Sequence, residues 1–345
     1  MRCYSFVALL WLTLSASVAL SAPAAVSSSA LASTTAGAQD PLNSQTPADA
    51  RAWLNRMSHA FKELDYQGVL IYGDTQQWET LSITHGVMNG VEYERLYHLT
   101  GESREVVRKG HDITCIHPGE HVVRLTQNPL AQGFVNQTSA IDAYYHLSME
   151  PGDRIAGRDT QQIIVSPRDA YRYGYRLWLD QESGMLLRSD LINQQGTVLE
   201  RFQFAEIRIG EPLAASEFEP QSSGHRVASH IAGHESKSSL TNQGWHLGWL
   251  PRGFMNAASQ LRDSSNPAPE GALATLMYTD GLAAITVFVD DAGQQEPMPV
   301  MSQQWGVTGA VVKYLKTNDT TYRITVVGEV PLPTVEKIAM SVMPQ

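Results

Sequence analysis

Histidine is the residue type in this sequence with the widest chemical capacity, because it can act as a base or bind a metal ion. One group lies on predicted strands and turns, and a second lies in or near a serine-rich stretch: His85, His98, His111, His117 and His121, then His225, His230, His234 and His246. Neither group has the His-Glu-x-x-His spacing or an acidic pattern that would orient metal ligands. We therefore predict exposed strand residues in the first group and no metal site in the second.

Other catalytic signatures are absent from the sequence. It contains no Gly-x-Ser-x-Gly elbow, no dinucleotide fingerprint and no phosphate-binding loop. Cys115 lies in the run 112–116, where a lone thiol is more often a small core residue than a nucleophile. A Ser-His-Asp triad assembled in space stays open, although no spacing supports one. We predict a binding protein rather than an enzyme, without a cofactor.

Charge and cysteine content exclude several other classes of protein. The 345 residues include 25 Lys and Arg against 35 Asp and Glu, which gives a net charge of −10. Nucleic-acid binding and a polybasic membrane anchor both need the opposite sign of charge. Two cysteines are too few for a disulfide scaffold or a multi-cysteine zinc site. The length is typical of two domains.

The first residues have the pattern of a secretory signal peptide. Arg2 precedes a mostly apolar run at 6–20, which is shorter than the ~20 residues that a membrane span needs. We predict a signal peptide at 1–22, with cleavage as late as residue 38, and a disordered tether at 23–45. An uncleaved anchor is the alternative. The predicted location is the periplasm.

The elements that follow are predicted to form two folded blocks. The first, 46–212, opens with an amphipathic helix whose apolar face includes Leu54 and Met57. Evenly spaced strands with short turns then indicate one large antiparallel sheet. Because so few helices cannot cover both faces, the sheet is expected to curl into an unclosed β-barrel. A second short helix is predicted at 140–147.

An open barrel would leave an apolar cavity between the sheet and its covering helices. We predict that alternate strand residues line this cavity as a lipid pocket: Val69, Ile71, Tyr93, Tyr97, Tyr173 and Leu177. A register shift of one residue would exchange the two faces of every strand. Which face points inward is therefore left open.

The serine-rich stretch 213–240 is predicted to be a linker, and 241–345 a smaller domain. Its Asp280-Gly281 pair favours a hairpin turn, 291–303 reads as a flexible loop, and 334–341 reads as a last helix. The fold class is therefore α+β. Aromatic residues near these turns are candidate partner contacts, with an ordinary core role as the alternative: Trp249, Phe254 and Tyr278.

Several motifs give the sequence a resemblance to a known family. They are Trp249-Leu250-Pro251-Arg252-Gly253-Phe254, Tyr278-Thr279-Asp280-Gly281-Leu282 and Ile324-Thr325-Val326-Val327-Gly328-Glu329-Val330-Pro331, with Arg104–Gly110, Arg176–Asp180 and Gly196–Phe202 in the first block. These motifs resemble the MucB/RseB family of periplasmic regulators, and they keep the family's order from about 50 to 343.

The resemblance implies a fold and a function. It implies a first domain similar to the lipoprotein carriers LolA and LolB, a smaller α+β domain and no catalytic residues. It also implies binding of the periplasmic segment of a single-pass anti-sigma factor, which is thereby shielded from regulatory proteolysis. Lipid or a lipopolysaccharide fragment is the implied releasing signal, and a homodimer is left open.

Two other functions compete with this one. A LolA-like lipid or lipoprotein carrier would use the same barrel, but it would need no second domain. A secreted hydrolase would need catalytic residues that the sequence does not reveal.

Overall fold

The computed structural model describes residues 47–74, 76–110, 112–118, 141–230, 244–256, 272–317 and 320–344. The predicted signal peptide and tether lie outside these ranges, as does 231–240 of the predicted linker. Within the described ranges, no helix combines the length and the apolar character that a membrane crossing requires.

Helix α1 (Pro47–Glu63) confirms the predicted opening helix. Asp49 in its first turn and Lys62 in its last turn complement the helix dipole. Residues spaced by three or four positions point to one side, so that Ala50, Leu54 and Met57 are fully buried. The helix thus presents one apolar stripe to the strands that follow it.

Eleven strands form the first sheet, with the short helix α2 (Ile141–Tyr144) between the fifth and the sixth. They are β1 Tyr66–Asp74, β2 Trp78–Met88, β3 Val91–His98, β4 Glu105–Lys109, β5 Asp112–His117, β6 Tyr145–Ile155, β7 Arg158–Pro167, β8 Gly174–Asp180, β9 Leu186–Ile192, β10 Val198–Ile209 and β11 His225–His230. Their order is β11-β5-β4-β3-β2-β1-β10-β9-β8-β7-β6, and every pairing is antiparallel. The two end strands do not pair with each other, which confirms the unclosed sheet.

The predicted helix at 140–147 is only half correct. Helix α2 ends at Tyr144, and β6 begins at the next residue. Tyr145 and Leu147 are buried while His146 between them is exposed. This two-residue period is that of a strand, and it places both apolar side chains in the core.

The predicted linker carries regular structure in its first part. A 3-10 helix spans Ala215–Phe218, and Phe218 packs its ring against Tyr93 of β3 at 5.5 Å between ring centroids. The backbone amides of Gln221 and Ser222 then donate hydrogen bonds to the buried carboxylate of Glu105. Strand β11 pairs with β5 directly afterwards. A polar composition does not reveal these contacts, because most of them are made by the backbone.

A second, smaller sheet domain completes the chain. Its elements are β12 Trp245–Leu247, β13 Met255–Asn256, β14 Ala272–Thr279, β15 Ala284–Asp291, β16 Met301–Trp305, β17 Thr308–Thr317, β18 Thr320–Gly328, α3 Leu332–Ser341 and β19 Val342–Pro344. Six of the strands form the second sheet, in the order β13-β14-β15-β18-β17-β16, and β12 pairs with β19. Helix α3 buries Val335, Ile338 and Ala339 against one face, as predicted. The predicted loop 291–303 overlaps the start of β16.

Candidate functional site at the junction of the two sheets

Two of the predicted partner contacts lie where the second sheet domain meets the first. Phe254 is only 7% exposed, and the guanidinium of Arg172, which precedes β8, lies 5.2 Å from its ring centroid. Trp249 is half-buried, with its ring 5.1 Å from that of Tyr171 and the ammonium of Lys337 3.9 Å from its centroid. Both aromatic side chains therefore pack within the molecule, which agrees with the alternative interpretation that they are ordinary core residues.

Arg172 is the centre of this junction. Its side chain is fully buried, and its Nη1 atom donates to Oδ2 of Asp280 across 2.6 Å. Its Nη2 atom donates to the carbonyl of Arg252 at 2.7 Å, and Nε donates to Asp169 at 3.1 Å. Burial alone would lower the pKa of Arg172, but Asp169 and Asp280 outweigh it and raise that pKa. The guanidinium is thus fixed as a cation with partners from both sheet domains.

Asp280 joins this network to the hairpin between β14 and β15. Its Oδ1 atom accepts the backbone amides of Leu282 at 3.0 Å and Ala283 at 2.8 Å, which shapes the turn. Its Oδ2 atom accepts the hydroxyl of Tyr145 at 3.0 Å, in addition to Arg172. The predicted Asp-Gly turn is confirmed, and Gly281 adopts a φ of 97°. One carboxylate therefore both builds the turn and holds the junction.

Apolar and hydroxyl groups continue the junction beyond this ion pair. Leu282 and Val307 of the second domain pack into the core of the first sheet. The Tyr175 hydroxyl donates to the carbonyl of Leu282 at 3.5 Å, and the amide of Gln304 donates to the hydroxyl of Tyr173 at the same distance. Tyr173, predicted for the lipid pocket, therefore lies at the contact between the two domains.

A second charged group at the junction consists of carboxylates alone. Glu200 on β10 lies directly across from Asp74 on β1. Burial raises the pKa of Glu200 to about 7; the hydrogen bond with Tyr72 opposes this shift, and the charges of Glu329 and Asp74 add to it. Burial also raises the pKa of Glu329, which follows β18 in the second domain. Glu200 and Glu329, the acidic pair, come from different domains and repel each other when both are ionised.

The predicted lipid-pocket residues divide between the two faces of the first sheet. Leu177 and Tyr173 belong to the core that α1 covers. On β1 that core face carries Tyr66 and Leu70, and on β3 it carries Leu96. Side chains alternate along a strand, so the remaining four predicted residues lie on the opposite face: Val69, Ile71, Tyr93 and Tyr97. The sequence left open which face points inward, and on β1 and β3 the core that α1 covers lies on the face opposite these four residues.

The prediction of exposed histidines is also wrong for three positions. His85, His98 and His117 are all buried. The Nδ1 atom of His85 lies 2.9 Å from the carbonyl oxygen of Leu64, and its Nε2 atom lies 3.2 Å from Glu92.

The environment of His85 explains how a polar residue is buried there. Its ring stacks on Tyr66 at 4.8 Å. Burial opposes ionisation of Glu92, but hydrogen bonds from His85 and Arg108 outweigh it and lower the pKa of that carboxyl to about 2. His85 is thus buried with a polar atom beside each of its ring nitrogens, a property that alternation alone does not show.

The remaining chemically interesting side chains have structural surroundings. Cys115 is buried, and burial raises the pKa of its thiol, which confirms the predicted core role. Across the described ranges, no three His, Cys, Asp or Glu side chains come together as a metal site would require. His111, His121 and His234 lie outside those ranges. No sequence signal indicated Arg172 or the acidic pair.

Comparison with known proteins finds one family along nearly the whole described chain. The model of the MucB/RseB N-terminal domain matches residues 49–222, and that of the MucB/RseB C-terminal domain matches residues 239–343. The sigma factor AlgU regulatory protein MucB of Pseudomonas aeruginosa is 34% identical over 299 residues, which cover 86% of this chain and 92% of that protein. The sigma-E factor regulatory protein RseB of Escherichia coli K12 is 28% identical, covering 84% and 89%.

Solved structures show the same relationship. The complex of MucA and MucB from P. aeruginosa aligns with a TM-score of 0.70 at 31% identity, covering 86% of this chain and 99% of that one. MucB in complex with MucA(peri) gives a TM-score of 0.68 with the same coverage. A crystal structure of MucB gives a TM-score of 0.59, covering 86% of this chain and 98% of that one. The likeness thus extends over both sheets.

Proposed function

The chain belongs to the MucB/RseB family, and we propose that it is a periplasmic negative regulator that binds the periplasmic segment of a membrane anti-sigma factor. The observation that carries this proposal is the likeness over both sheets to MucB in complex with MucA. The relatives are regulatory proteins of the sigma factors AlgU and sigma-E. We propose no enzymatic activity for the chain.

Shielding is the physical basis that we propose for negative regulation. A protease must take an extended segment of its substrate into its own active site, so a segment held against another protein is not available for cleavage. The junction supports this role, because the buried contact of Arg172 with Asp280 holds two surfaces in a fixed relation. Bound partner would then meet one preorganised surface rather than two independent ones.

Partner contacts near the junction remain part of the proposal. Trp249 and Tyr278 keep part of their side-chain surface exposed, so they can both pack internally and touch a partner. Phe254 is buried beside Arg172, and we propose that it acts by holding that guanidinium in place.

Release by envelope stress is proposed to involve lipid. The core between α1 and the first sheet is apolar, and it includes Leu177 as well as Leu81 and Ile83. An acyl chain entering there would have to displace α1, since this helix covers the same side chains. Such a displacement would alter the first sheet close to the junction. The relevant ligands are lipid or a lipopolysaccharide fragment.

A LolA-like carrier is less well supported than a regulator. A carrier needs only the barrel, whereas here Leu282 and Val307 of the second domain fill part of its core. The second domain therefore contributes side chains to the core of the first domain, which a carrier made of the barrel alone would lack.

The proposal is tested by protection of the anti-sigma segment from proteolysis. The purified full-length mature protein is mixed with the periplasmic segment of the anti-sigma factor, binding is measured by fluorescence anisotropy, and cleavage by the regulatory protease is followed by electrophoresis. We expect saturable binding and cleavage that slows as the protein approaches an equimolar amount. Cleavage at an unchanged rate with all of the segment bound would contradict shielding, and an absence of binding would contradict the proposed function.

A further inference from the structure

The second sheet has two unlike faces. Helix α3 covers one face, where Val287, Val311 and Val326 are fully buried. The residues that alternate with these lie on the other face, which we call the open face. Eight of them are only partly buried: Thr275, Met277, Thr286, Phe288, Ala310, Val312, Thr325 and Val327. None of these eight is charged.

Strand β16 forms one edge of this sheet. In the described part of the chain it pairs with β17 alone, so its second row of backbone groups faces no other strand. Met301 is 51% exposed and Trp305 59% exposed. The pairings Val312–Met301 and Thr308–Trp305 put both side chains on the open face. The edge and these eight residues thus form one uncharged surface. Asp290 and Arg323 lie on the same face, two residues beyond Phe288 and Thr325 along their strands.

Free edges in natural proteins usually carry charge, proline or a bulge that prevents a further strand from pairing. Residues 297–312 contain no Asp, Glu, Lys or Arg, in a chain with 60 such residues. Pro297 and Pro299 precede β16, but the strand itself has neither proline nor charge. An edge of this kind is suited to accept another strand.

We propose that the edge of β16 accepts the periplasmic segment of the anti-sigma partner as an added strand; this inference rests on the proposed function. Backbone hydrogen bonds to β16 would supply affinity, and Met301 and Trp305 would select a segment with uncharged, apolar residues at alternate positions. A second copy of the chain is a poorer occupant, because two molecules of net charge −10 repel each other.

This surface differs from the contacts that aromatic motifs indicated. Tyr278 pairs with the buried Ile285 and belongs to the core under α3. Its neighbour Met277 lies on the open face. On β14 the binding surface inferred from the structure therefore includes Met277 rather than the predicted contact Tyr278. It also includes β16, the first residues of which were predicted to lie in a loop.

The test compares charges placed on the edge with a charge placed elsewhere. Met301→Lys combined with Trp305→Lys changes exposed side chains and leaves the core intact. Met340→Lys on α3 is the matched control, because Met340 is 53% exposed on the other side of the sheet. Affinity for the anti-sigma segment is measured by fluorescence anisotropy with the full-length mature protein. We expect at least a tenfold loss for the double variant and less than a twofold change for the control.

Further measurements separate the alternatives. Hydrogen exchange should show that the partner protects amides within 301–305. If the unaltered protein does not bind the segment, the proposed function fails; if it binds and the double variant binds equally well, only the edge assignment fails. Light scattering gives the oligomeric state, and a dimer that the two lysines dissociate would overturn the assignment in favour of a second copy. Circular dichroism melting checks that both variants are folded.

Discussion

The junction between the two sheet domains contains two charged groups of opposite design, one buried and one half-buried. In the first, Arg172 and Asp280 meet at 2.6 Å with both side chains fully buried. In the second, Glu200 and Glu329 bring charges of the same sign to one place, beside Asp74. The first group joins opposite charges, whereas the repulsion in the second is relieved only when a carboxylate takes up a proton. The charge at the junction therefore depends on pH at the acidic pair.

Removing the charge of Asp280 tests the buried ion pair and should have the largest effect. Asp280→Asn preserves the shape of the turn but leaves the buried Arg172 with Asp169 as its one carboxylate partner among the described residues. We expect the free energy of unfolding to fall by about 3 kcal/mol, since an incompletely compensated charge remains buried. Urea denaturation measures this loss.

A control for this variant comes from a more exposed ion pair in the second sheet. Arg323 and Asp290 lie at a similar distance, 2.7 Å, but the arginine side chain is 42% exposed. Asp290→Asn should cost less than about 1 kcal/mol. Equal losses for the two variants would show that the buried pair has no special role at the junction.

The acidic pair predicts an effect of pH. The pKa of Glu200 is about 7 in the folded protein against an ordinary value of 4.5. Its contribution to stability is therefore fully present below pH 4.5 and is lost as the pH rises through 7. We expect Glu200→Gln to remove about 1 to 3 kcal/mol of this pH dependence between pH 4.5 and 7.5.

The measurement is urea denaturation at several pH values, read as the difference between the variant and the unaltered protein. Other carboxylates have the opposite dependence, because hydrogen bonds lower the pKa of Asp190 despite its burial. Taking the difference removes their contribution. Glu206→Gln, an exposed change on the same strand, is the control and should leave the pH dependence unaltered. A profile for Glu200→Gln that parallels the unaltered one would refute proton uptake at this site.

The smallest effect is expected at the rim of the junction. The Lys337 ammonium lies over the rings of Trp249 and Tyr171, 3.9 and 5.1 Å from their centroids, on an exposed side chain. Lys337→Met keeps most of the packing and removes the charge, so thermal denaturation should show a loss below about 1 kcal/mol. A loss as large as that of Asp280→Asn would mean that the rim, rather than the buried ion pair, holds the domains together.

Local patterns predicted the elements of this fold better than they predicted its site. The period of α1 and the Asp280-Gly281 turn are encoded by neighbouring residues, so both could be located in advance. Arg172 alternates with Tyr171 and Tyr173 in the sequence, which suggests a solvated polar face. It is buried because the second domain packs over it, and no local sequence pattern contains that information.

Strand β16 was missed for a different reason. Its sequence, Met-Ser-Gln-Gln-Trp, has no β-branched residue and follows two prolines, so propensity favours a loop. Pairing with the strongly β-forming β17 decides its conformation instead. The inward face of β1 and β3 stayed open in the sequence because both faces carry apolar residues, which makes alternation ambiguous.

The contact between Arg172 and Asp280 joins positions 108 residues apart. A chain is synthesised from its amino terminus, so Arg172 is present before Asp280 has been added. Contacts of such long range form late and slowly. The first sheet can therefore form most of its hydrogen bonds while one end of its core stays hydrated. We expect proteases to reach this end of the core until the Asp280 hairpin closes over it. This closure would then be the step that makes the folding molecule resistant to proteolysis.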